Sequence, residues 1–401
     1  MVRRTTEVRA CAVSLGLLGA LAACAPAAQP GPQDARAAQG GRAETAAAAI
    51  EIPQSPAVAL LPRQRVASGL ANPRGMHVLP DGSLLVSIAG TGDPGEPLSG
   101  GIVKLSDLNK DGDFEDDGER STVLDKQPSR NLFHLVRRDE VFGMAGMAQG
   151  EGQLLVSLAD FGGPSKIFRF DGEKFSEWSN THGNVNDLEY DRRRKVWVGV
   201  ASTTDEVVEL APGKPAQRLA KFAPLKSGQD AVPAYIRYDD LTGDLLVTLF
   251  SGSPEGEEGG EGVELIPRAA SVMRVHAETH SAEPAVVSLT VPTDLEIADD
   301  GSLYVLEFCD AFVEPVSSRE QMFGGTLHGG FRRYSGRLLR IDRKTRAVTI
   351  VAQGLDAPTN LARVGNDLYV AEGMGTPGRA IPGPDGKPVQ LTGYIERIKL
   401  P

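Results

Sequence analysis

The feature that most restricts the fold of this 401-residue chain is a phrase that recurs six times between residues 73 and 372. Each copy consists of a short apolar run, a tight turn and a second strand-like run. The copies are PRGMHVLPDGSLLVSI (73–88), AGMAQGEGQLLVSL (145–158), VNDLEYDRRRKVWVGV (185–200), PAYIRYDDLTGDLLVTL (233–249), PTDLEIADDGSLYVLE (292–307) and PTNLARVGNDLYVAE (358–372). Most of the turns contain Gly beside Asp, Glu, Thr or Asn, residue types that tolerate a positive φ. Each copy therefore predicts a β-hairpin.

The spacing of the hairpins predicts how they are arranged. Successive turns lie 41 to 70 residues apart, and the shortest interval just holds four strands. Four-stranded units repeated in this way are typical of a β-propeller, in which radial blades surround a central channel. A solenoid is the main rival, but it would need capping units, which the sequence does not contain. The chain is therefore predicted to be all-β and to form a six-bladed β-propeller.

The two ends of the repeat region predict how the ring closes. The phrase VAQGLDAPTNL (351–361) leads into the last hairpin as VASGLANPRGM (66–76) leads into the first. The last blade has no outer strand of its own after YIERIKL (394–400), and RQRVASG (63–69) supplies one. We therefore expect the N-terminal strand to close the last blade, which leaves no sheet edge exposed to aggregation.

Residues 1–23 have the features of a bacterial secretion signal, since Arg3, Arg4 and Arg9 flank an apolar stretch too short to span a membrane. The run Leu-Ala-Ala-Cys that ends at Cys24 resembles the lipobox, in which the Cys is lipidated and becomes the mature first residue. The alternative is an ordinary cleaved signal with an unmodified Cys. We expect an exported lipoprotein anchored to a membrane. Because Ala25 replaces the Asp that retains lipoproteins, sorting rules imply the periplasmic or outer-membrane face in a Gram-negative host.

Residues 24–60 are rich in Ala, Gln, Pro and Gly and poor in large apolar residues, so they predict a flexible tether before a propeller over residues 61–401. The net charge of −11, with no basic patch interleaved with aromatics, argues against nucleic-acid binding. We expect a monomer whose partners are the membrane, through the lipid on Cys24, and a small ligand or a protein.

The acidic segment 107–119, between the third and fourth strands of the first blade, carries Asp or Asn at alternate positions followed by Gly112. Loops of this kind wrap Ca²⁺. The match to an EF-hand loop is imperfect because its twelfth position would be Gly118. The alternative is a solvated acidic loop, in which crowded carboxylates would repel one another. We expect a structural Ca²⁺ held by Asp107, Asn109, Asp111, Asp113, Asp117 and Glu119.

The starts of the inner strands predict the residues that face the channel. Because side chains alternate along a strand, only one residue of each starting pair faces it. If it is the second, Asp187, Tyr235, Asp294 and Asn360 converge on a binding site for a cation, a sugar or another polar ligand. The alternative is that these groups cap strand ends or hold channel water.

The longest loops are predicted on the same face as the strand starts, at 90–100, 251–269, 309–336 and 373–393. Long loops in a compact domain are usually functional or mobile. The loop at 309–336 is the better candidate for contacting an anion or a substrate, because it carries Arg319, His328, Arg332, Arg333 and Tyr334. The alternative is that its arginines pair with the acidic loop at 251–269. Among the His residues, only His182 is expected near this rim.

From about residue 63 to residue 400 the chain resembles the ScyD/ScyE type of six-bladed propeller, a family linked to scytonemin biosynthesis loci. The resemblance is carried by GLANPRGM with DGSLLVSIAG (69–90), AVPAYI with GDLLVTLFSGSPEG (231–256) and VPTDLEIADDGSLYVLEF (291–308). These segments are also similar to NHL repeats and, more remotely, to the SMP-30-like lactonase and quinoprotein sugar-dehydrogenase propellers. The matching residues are framework, so the resemblance implies an exported propeller and specifies no reaction.

Two classes of function remain open on the sequence. The first is a lipid-anchored propeller that binds a small ligand or a protein partner on its loop-rich channel face. The second is an enzyme, either a metal-dependent lactonase or a dehydrogenase that uses pyrroloquinoline quinone and Ca²⁺. Resemblance to the dehydrogenases implies a His where the second inner strand begins Met144-Ala145-Gly146, and a lactonase metal would find only Asp187 and Asp294 at the strand starts. The sequence therefore favours binding and disfavours the quinone.

Overall fold

The computed structural model describes residues 48–159, 165–181, 183–225, 228–250, 266–316 and 318–401. The predicted signal peptide, Cys24, residues 24–47 of the predicted tether, His182 and most of the acidic loop at 251–269 lie outside the described residues. Residues 48–401 fold as one unit. Within the described part of the chain, no helix has the length and apolar character needed to cross a membrane.

Three short strands precede the first blade: β1 (Ile50–Glu51), β2 (Ala57–Val58) and β3 (Arg63–Leu70). β1 pairs in parallel with the outer strand of the fourth blade, and β2 pairs in parallel with the outer strand of the fifth. Ile50 and Ile52 are buried in the core between those two blades. The predicted tether is therefore too long, because the folded unit begins at residue 48 rather than at residue 61.

The first three blades are antiparallel sheets in which four consecutive strands pair in order. Blade 1 contains β4 (Pro73–Val78), β5 (Leu84–Ile88), β6 (Gly100–Leu105) and β7 (Arg120–Gln127); β8 (Arg130–Asn131), α1 (Phe133–Val136) and β9 (Val141–Phe142) follow it. Blade 2 contains β10 (Met144–Gly150), β11 (Gln153–Leu158), β12 (Ser165–Phe170) and β13 (Phe175–Thr181), and blade 3 contains β14 (Val185–Asp191), β15 (Val196–Ala201), β16 (Glu206–Leu210) and β17 (Gln217–Lys221).

The last three blades have the same pairing with longer insertions. Blade 4 contains β18 (Pro233–Tyr238), β19 (Leu245–Leu249), β20 (Ala270–Val275) and β21 (Ala282–Leu289). Blade 5 contains β22 (Pro292–Ile297), β23 (Leu303–Glu307), β26 (Gly336–Ile341) and β27 (Val348–Leu355), with β24 (Phe312–Val313), α2 (Arg319–Phe323) and β25 (Gly330–Phe331) inserted after β23. Blade 6 contains β28 (Asn360–Val364), β29 (Asp367–Glu372) and β32 (Gly393–Lys399), with β30 (Ala380–Pro382) and β31 (Pro388–Gln390) inserted before β32.

The sixth blade is completed from the N-terminus. β3 pairs antiparallel with β32, with Arg63 opposite Ile398. The predicted six-bladed propeller and its closing strand are therefore confirmed. Buried apolar residues from neighbouring blades form the core, as where Leu246 and Val272 of blade 4 pack with Val305 of blade 5.

A side-chain hydroxyl joins each blade to the start of the next inner strand. Every junction has one Ser or Thr that donates to a backbone carbonyl, at 2.5 to 3.3 Å: Ser87 to Ala145, Ser157 to Asn186, Ser202 to Pro233, Thr248 to Thr293, Thr293 to Pro358 and Thr359 to Pro73. The last of these bonds closes the ring. The inner strands are thereby held at a fixed distance from one another around the channel, which positions their side chains.

Candidate functional site

Three of the four predicted channel residues meet in the middle of the ring. Asn360 Nδ2 donates to Asp294 Oδ2 at 2.6 Å, and both Asp187 and Asp294 contact the guanidinium of Arg237. These three predicted residues are at most 2% exposed. Because they come from blades 3, 5 and 6, only closure of the ring brings them together. That they bind a ligand remains a prediction.

Arg237, on β18 of blade 4, is the centre of this group. Its Nη1 lies 2.6 Å from Asp187 Oδ2 and its Nη2 lies 2.8 Å from Asp294 Oδ2. Its Nε lies 3.7 Å from Glu296 Oε1. The planar fork of an arginine suits two carboxylates in this way. We refer to Asp187, Arg237, Asp294 and Asn360 as the Arg237 cluster.

Tyr235, the fourth predicted residue, does not join this cluster by a hydrogen bond. Its phenol donates to the backbone carbonyl of Arg74 at 3.0 Å, and its ring is 5% exposed. Burial raises the pKa of Tyr235. It lies instead on the wall of a cavity of ≈ 50 Å³ on the strand-start side of the channel.

The carboxylates of the cluster also hold the neighbouring blade. Asp187 Oδ2 accepts from the backbone N–H of Ile236 at 3.1 Å, and Asp294 Oδ2 accepts from that of Leu361 at 2.8 Å. Each acid thus ties its own inner strand to the next one around the ring. Within the described part of the chain, Asp187 Oδ1 and Asn360 Oδ1 are buried without a hydrogen-bond donor.

A chamber of ≈ 490 Å³ occupies the channel beyond the Arg237 cluster, away from the strand starts. Ligand pockets usually have about 300–1,000 Å³. The chamber is lined by the inner-strand residues that lie two positions after the predicted ones: His77, Ala148, Glu189, Arg237, Glu296 and Ala362. The small side chains of the two alanines leave room for the chamber. Its mouth lies among the turns of the inner hairpins. Two Arg–Asp pairs with exposed aspartates flank this mouth, Arg192 with Asp240 at 3.0 Å and Arg363 with Asp299 at 2.5 Å.

The electrostatics of the chamber are dominated by carboxylates. Burial raises the pKa of both Asp187 and Asp294 to about 7, against the opposing attraction of Arg237. Burial also raises the pKa of Glu189 and of Glu296. Four carboxyl groups therefore surround one guanidinium. Perturbed carboxyl groups in a cleft are typical of functional sites.

His77 lies on the chamber wall, where burial lowers its pKa. An imidazole with a lowered pKa is neutral at physiological pH and adds no positive charge to the chamber.

The strand-start face is covered by loops whose arginines are already paired. Arg333 is buried against Asp356 at 2.6 Å, Arg319 pairs with Asp93 at 2.9 Å, and Arg332 pairs with Asp310 at 3.0 Å. The arginines of the 309–336 loop, which the sequence predicted to contact an anion or a substrate, therefore already pair with carboxylates of the chain itself.

A buried ion pair ties two of these loops together. Arg379 Nε lies 2.7 Å from Asp139 Oδ2, and both side chains are at most 1% exposed. Arg379 also donates to the backbone carbonyl of Leu327 at 2.6 Å, which adds the 309–336 loop. We call these three segments, 130–142, 309–336 and 373–393, the cap loops.

The acidic loop at 107–119 brings carboxylates together in part as predicted. Oxygen atoms of Asp111, Asp113 and Asp116 lie within 4.8 Å of one another. Asp116 was not among the six predicted ligands. Partial desolvation and the neighbouring carboxylates of Asp111 and Glu119 raise the pKa of Asp116.

The other predicted ligands have different contacts. Asp107 accepts from the backbone N–H groups of Lys110 and Gly112, at 2.6 and 3.0 Å. Glu119 is buried and accepts from that of Leu108 at 2.7 Å. Asn109 Nδ2 donates to Asp111 Oδ2 at 3.0 Å. Asp117 does not belong to the group of converging oxygens.

The channel does not fit the groups that the enzyme alternatives imply. A lactonase-type metal would need the space between Asp187 and Asp294, which the Arg237 guanidinium fills. Pyrroloquinoline quinone carries three carboxyl groups and would meet the carboxyl groups that surround Arg237.

Sequence reasoning missed the residues that line the chamber: His77, Glu189, Arg237 and Glu296. The signal that finds them is the same strand alternation, applied two residues further along each inner strand. It leads from Asp187 to Glu189, from Tyr235 to Arg237 and from Asp294 to Glu296.

No protein-family model and no curated protein matches the chain. Similar solved structures include a Bacteroides thetaiotaomicron protein of unknown function (11% identity, 83% of this chain and 75% of that one, TM-score 0.49). Another is a glucose dehydrogenase-type oxidoreductase from Thermus thermophilus (15% identity, 84% and 99%, TM-score 0.47). A third is a gluconolactonase from Xanthomonas campestris (14% identity, 69% and 90%, TM-score 0.39). At these identities the similarity concerns the propeller fold and not an activity.

Proposed function

We propose that the chain is an exported, lipid-anchored binding propeller whose chamber takes up a small organic cation such as a primary amine. The observation that carries the proposal is that four carboxyl groups act on the guanidinium of Arg237. The other two arginines on the chamber wall, Arg192 and Arg363, already pair with aspartates at its mouth. An added positive charge would stabilise the ionised form of groups whose pKa burial has raised. The chamber is proposed in place of the loop-rich face, where the cavity is only ≈ 50 Å³.

Glu296 is the group proposed to receive the cation. Glu189 already accepts from two backbone N–H groups, those of Tyr190 and Tyr238, at 2.7 and 3.2 Å. Glu296, in contrast, accepts no hydrogen bond among the described residues; its Oε1 lies 3.7 Å from Arg237 Nε, Arg363 also acts on its charge, and its side chain is 21% exposed. A carboxylate that is partly desolvated and not saturated with donors binds an ammonium group strongly.

The same geometry favours binding over catalysis. Arg237 stays protonated at physiological pH and cannot act as an acid or a base. Asp187 and Asp294 are 0% exposed, and each is held by Arg237 and by a backbone N–H. This arrangement holds the charged groups in fixed positions, which suits the binding of a ligand better than the transfer of protons to it.

The proposal is tested by thermal unfolding of the purified protein with putrescine and spermidine at constant ionic strength, with sodium gluconate as the anionic control. The expected result is a rise in melting temperature with the amines alone. Glu296→Gln should weaken amine binding about 10- to 100-fold, the size expected for loss of a charged hydrogen bond.

The matched control is Asp240→Asn, which changes a 73% exposed carboxylate at the chamber mouth and should leave the response in place. An unchanged melting temperature with both amines, or an equal rise in wild type and Glu296→Gln, would show that the chamber is not an amine site.

We also propose a structural Ca²⁺ in the 107–119 loop. The converging oxygens of Asp111, Asp113 and Asp116 support it, since such hard oxygen ligands suit Ca²⁺. The expected result is that EDTA lowers the melting temperature and that added Ca²⁺ restores it. Asp111→Asn combined with Asp113→Asn should remove this response, and a melting temperature insensitive to EDTA in the wild type would exclude the site.

The anchor at Cys24 is proposed on the sequence motif alone. Membrane fractionation of cells that express the wild type and Cys24→Ser tests it. The wild type should sediment with membranes and the variant should be soluble in the exported fraction. Equal partitioning of the two would contradict lipidation.

A further inference from the structure

The small cavity on the strand-start side is lined by an arginine, Arg74, that pairs with no carboxylate among the residues the structure describes. Arg74, at the second position of β4, is 8% exposed. Its Nη1 donates only to the thioether sulfur of Met374, at 2.9 Å, and sulfur is a weak acceptor. Its Nε is buried with no hydrogen-bond acceptor among the described residues.

This arrangement is unusual for a buried cation. Two other buried arginines on this side of the ring, Arg379 and Arg333, each have a carboxylate within 4 Å, that of Asp139 and that of Asp356. A buried charge without a partner costs several kcal/mol, and for that reason buried arginines are normally paired. No carboxylate of the described residues pairs with Arg74, and a bound anion would supply that negative charge.

The cavity walls indicate the class of anion. The lining includes polar residues, among them Arg74, Asn186 and Thr293, and two large apolar residues, Phe250 and Phe308. The volume of ≈ 50 Å³ holds about three to five waters, which matches a carboxyl group with a few carbon atoms. An inorganic anion would leave the two phenylalanines facing polar oxygen.

We propose that this cavity is a second binding site, specific for a small monocarboxylic acid. The carboxylate lies against the Arg74 guanidinium, and the hydrocarbon part lies against Phe250 and Phe308. This site is separate from the chamber, because the Arg237 cluster lies between them and Arg74 does not line the chamber. Failure of the proposed amine site would leave this inference standing, and the reverse also holds.

Glu140 is the carboxylate residue that lines the same cavity among the described residues. Its carboxylate also lies on the cavity wall, and it pairs with Arg138 at 3.8 Å rather than with Arg74. If Glu140 neutralised Arg74 in solution, added acids would have no free charge to bind. Acid binding by the Glu140→Gln variant therefore distinguishes an Arg74 that Glu140 neutralises from an Arg74 that is free to bind an added acid.

The experiment measures the melting temperature of the purified protein in sodium acetate, propionate and butyrate, against sodium chloride and phosphate at equal ionic strength. Propionate or butyrate should raise the melting temperature by about 2–4 °C near saturation, and chloride and phosphate should not. Arg74→Met should weaken propionate binding about 100-fold by calorimetry. Arg74→Lys should keep part of the affinity, because it keeps the charge and loses the fork.

Arg319→Met is the matched control, since Arg319 is an exposed arginine of the cap loops paired with Asp93, and it should bind propionate like the wild type. Glu140→Gln should bind propionate at least as well as the wild type. The inference is overturned if no acid raises the melting temperature, if chloride has the same effect as propionate, or if only Glu140→Gln responds. It is also overturned if Arg74→Met, when folded, binds propionate like the wild type.

Discussion

Replacing Arg237 by Met removes the guanidinium that lies between Asp187 and Asp294. The three side chains are 14%, 1% and 0% exposed, so water cannot replace the lost partner. Removal of one member of a buried ion pair typically costs about 3–5 kcal/mol, since it leaves an unpaired buried charge. We expect the free energy of unfolding at pH 8 to fall by this amount.

The size of this loss should depend on pH. The pKa of Asp187 and of Asp294 is about 7 in the folded protein. Below that pH both carboxyl groups become neutral with or without Arg237, so the lost ion pairs matter less. Above it they are ionised in the wild type and need the guanidinium. The loss should therefore be smaller at pH 5 than at pH 8.

The assay is urea unfolding at pH 5 and pH 8, followed by the fluorescence of Trp178 and Trp197 in blades 2 and 3. Arg192→Met is the matched control. Its guanidinium is 50% exposed and pairs with an exposed Asp240 at the chamber mouth, so the loss should stay below about 1 kcal/mol. A loss for Arg237→Met no larger than for this control, or equal losses at the two pH values, would refute the assignment of Arg237 as the buried counter-ion.

Three further predictions concern the ring and its cap. For Asp187 and Asp294 the folded pKa of about 7 exceeds the ordinary 3.8, so their contribution to stability is present at low pH and lost as pH rises through 7. The double variant Asp187→Asn, Asp294→Asn should therefore show a flatter pH dependence of the melting temperature between pH 4 and pH 8. A pH dependence equal to that of the wild type would contradict the raised pKa values. Arg379→Met leaves Asp139 buried and unpaired, so limited proteolysis within 373–393 should accelerate, whereas Lys387→Met, at an 83% exposed side chain, should not change it. Gly146→Ala would place a Cβ 2.0 Å from Asp187 Oδ1 and should lower stability by about 1–3 kcal/mol, while Gly325→Ala, with open space around it, should be neutral in the same unfolding experiment.

The fold was predictable because each blade repeats a local signal. Alternating apolar residues and turn glycines mark the inner hairpin of every blade, and the matching phrases before the first and last hairpins identify the closing strand. The added strands β1 and β2 were missed because each has two residues in a segment rich in Ala and Pro. Their pairing depends on outer strands more than 200 residues away.

The candidate site was predictable only in part. Strand alternation identified Asp187, Asp294 and Asn360, since it depends on local spacing alone. The role of Arg237 depends on carboxylates from the two neighbouring blades, and no local pattern encodes that meeting. Likewise, Asp139 and Arg379 are 240 residues apart in the chain. That no carboxylate of the described residues pairs with Arg74 can be recognised only from the folded structure, because the neighbours of Arg74 come from several blades.

The central claim, that the chamber binds a small cation through carboxyl groups of raised pKa, is tested most directly by counting protons. Putrescine is titrated into the protein at pH 7 in phosphate and in HEPES, two buffers with different enthalpies of ionisation. A bound cation favours the ionised carboxylates, so the account predicts that protons are released on binding, that the enthalpy differs between the buffers, and that Glu296→Gln reduces both binding and release. Binding with the same enthalpy in both buffers, or no binding, would contradict it.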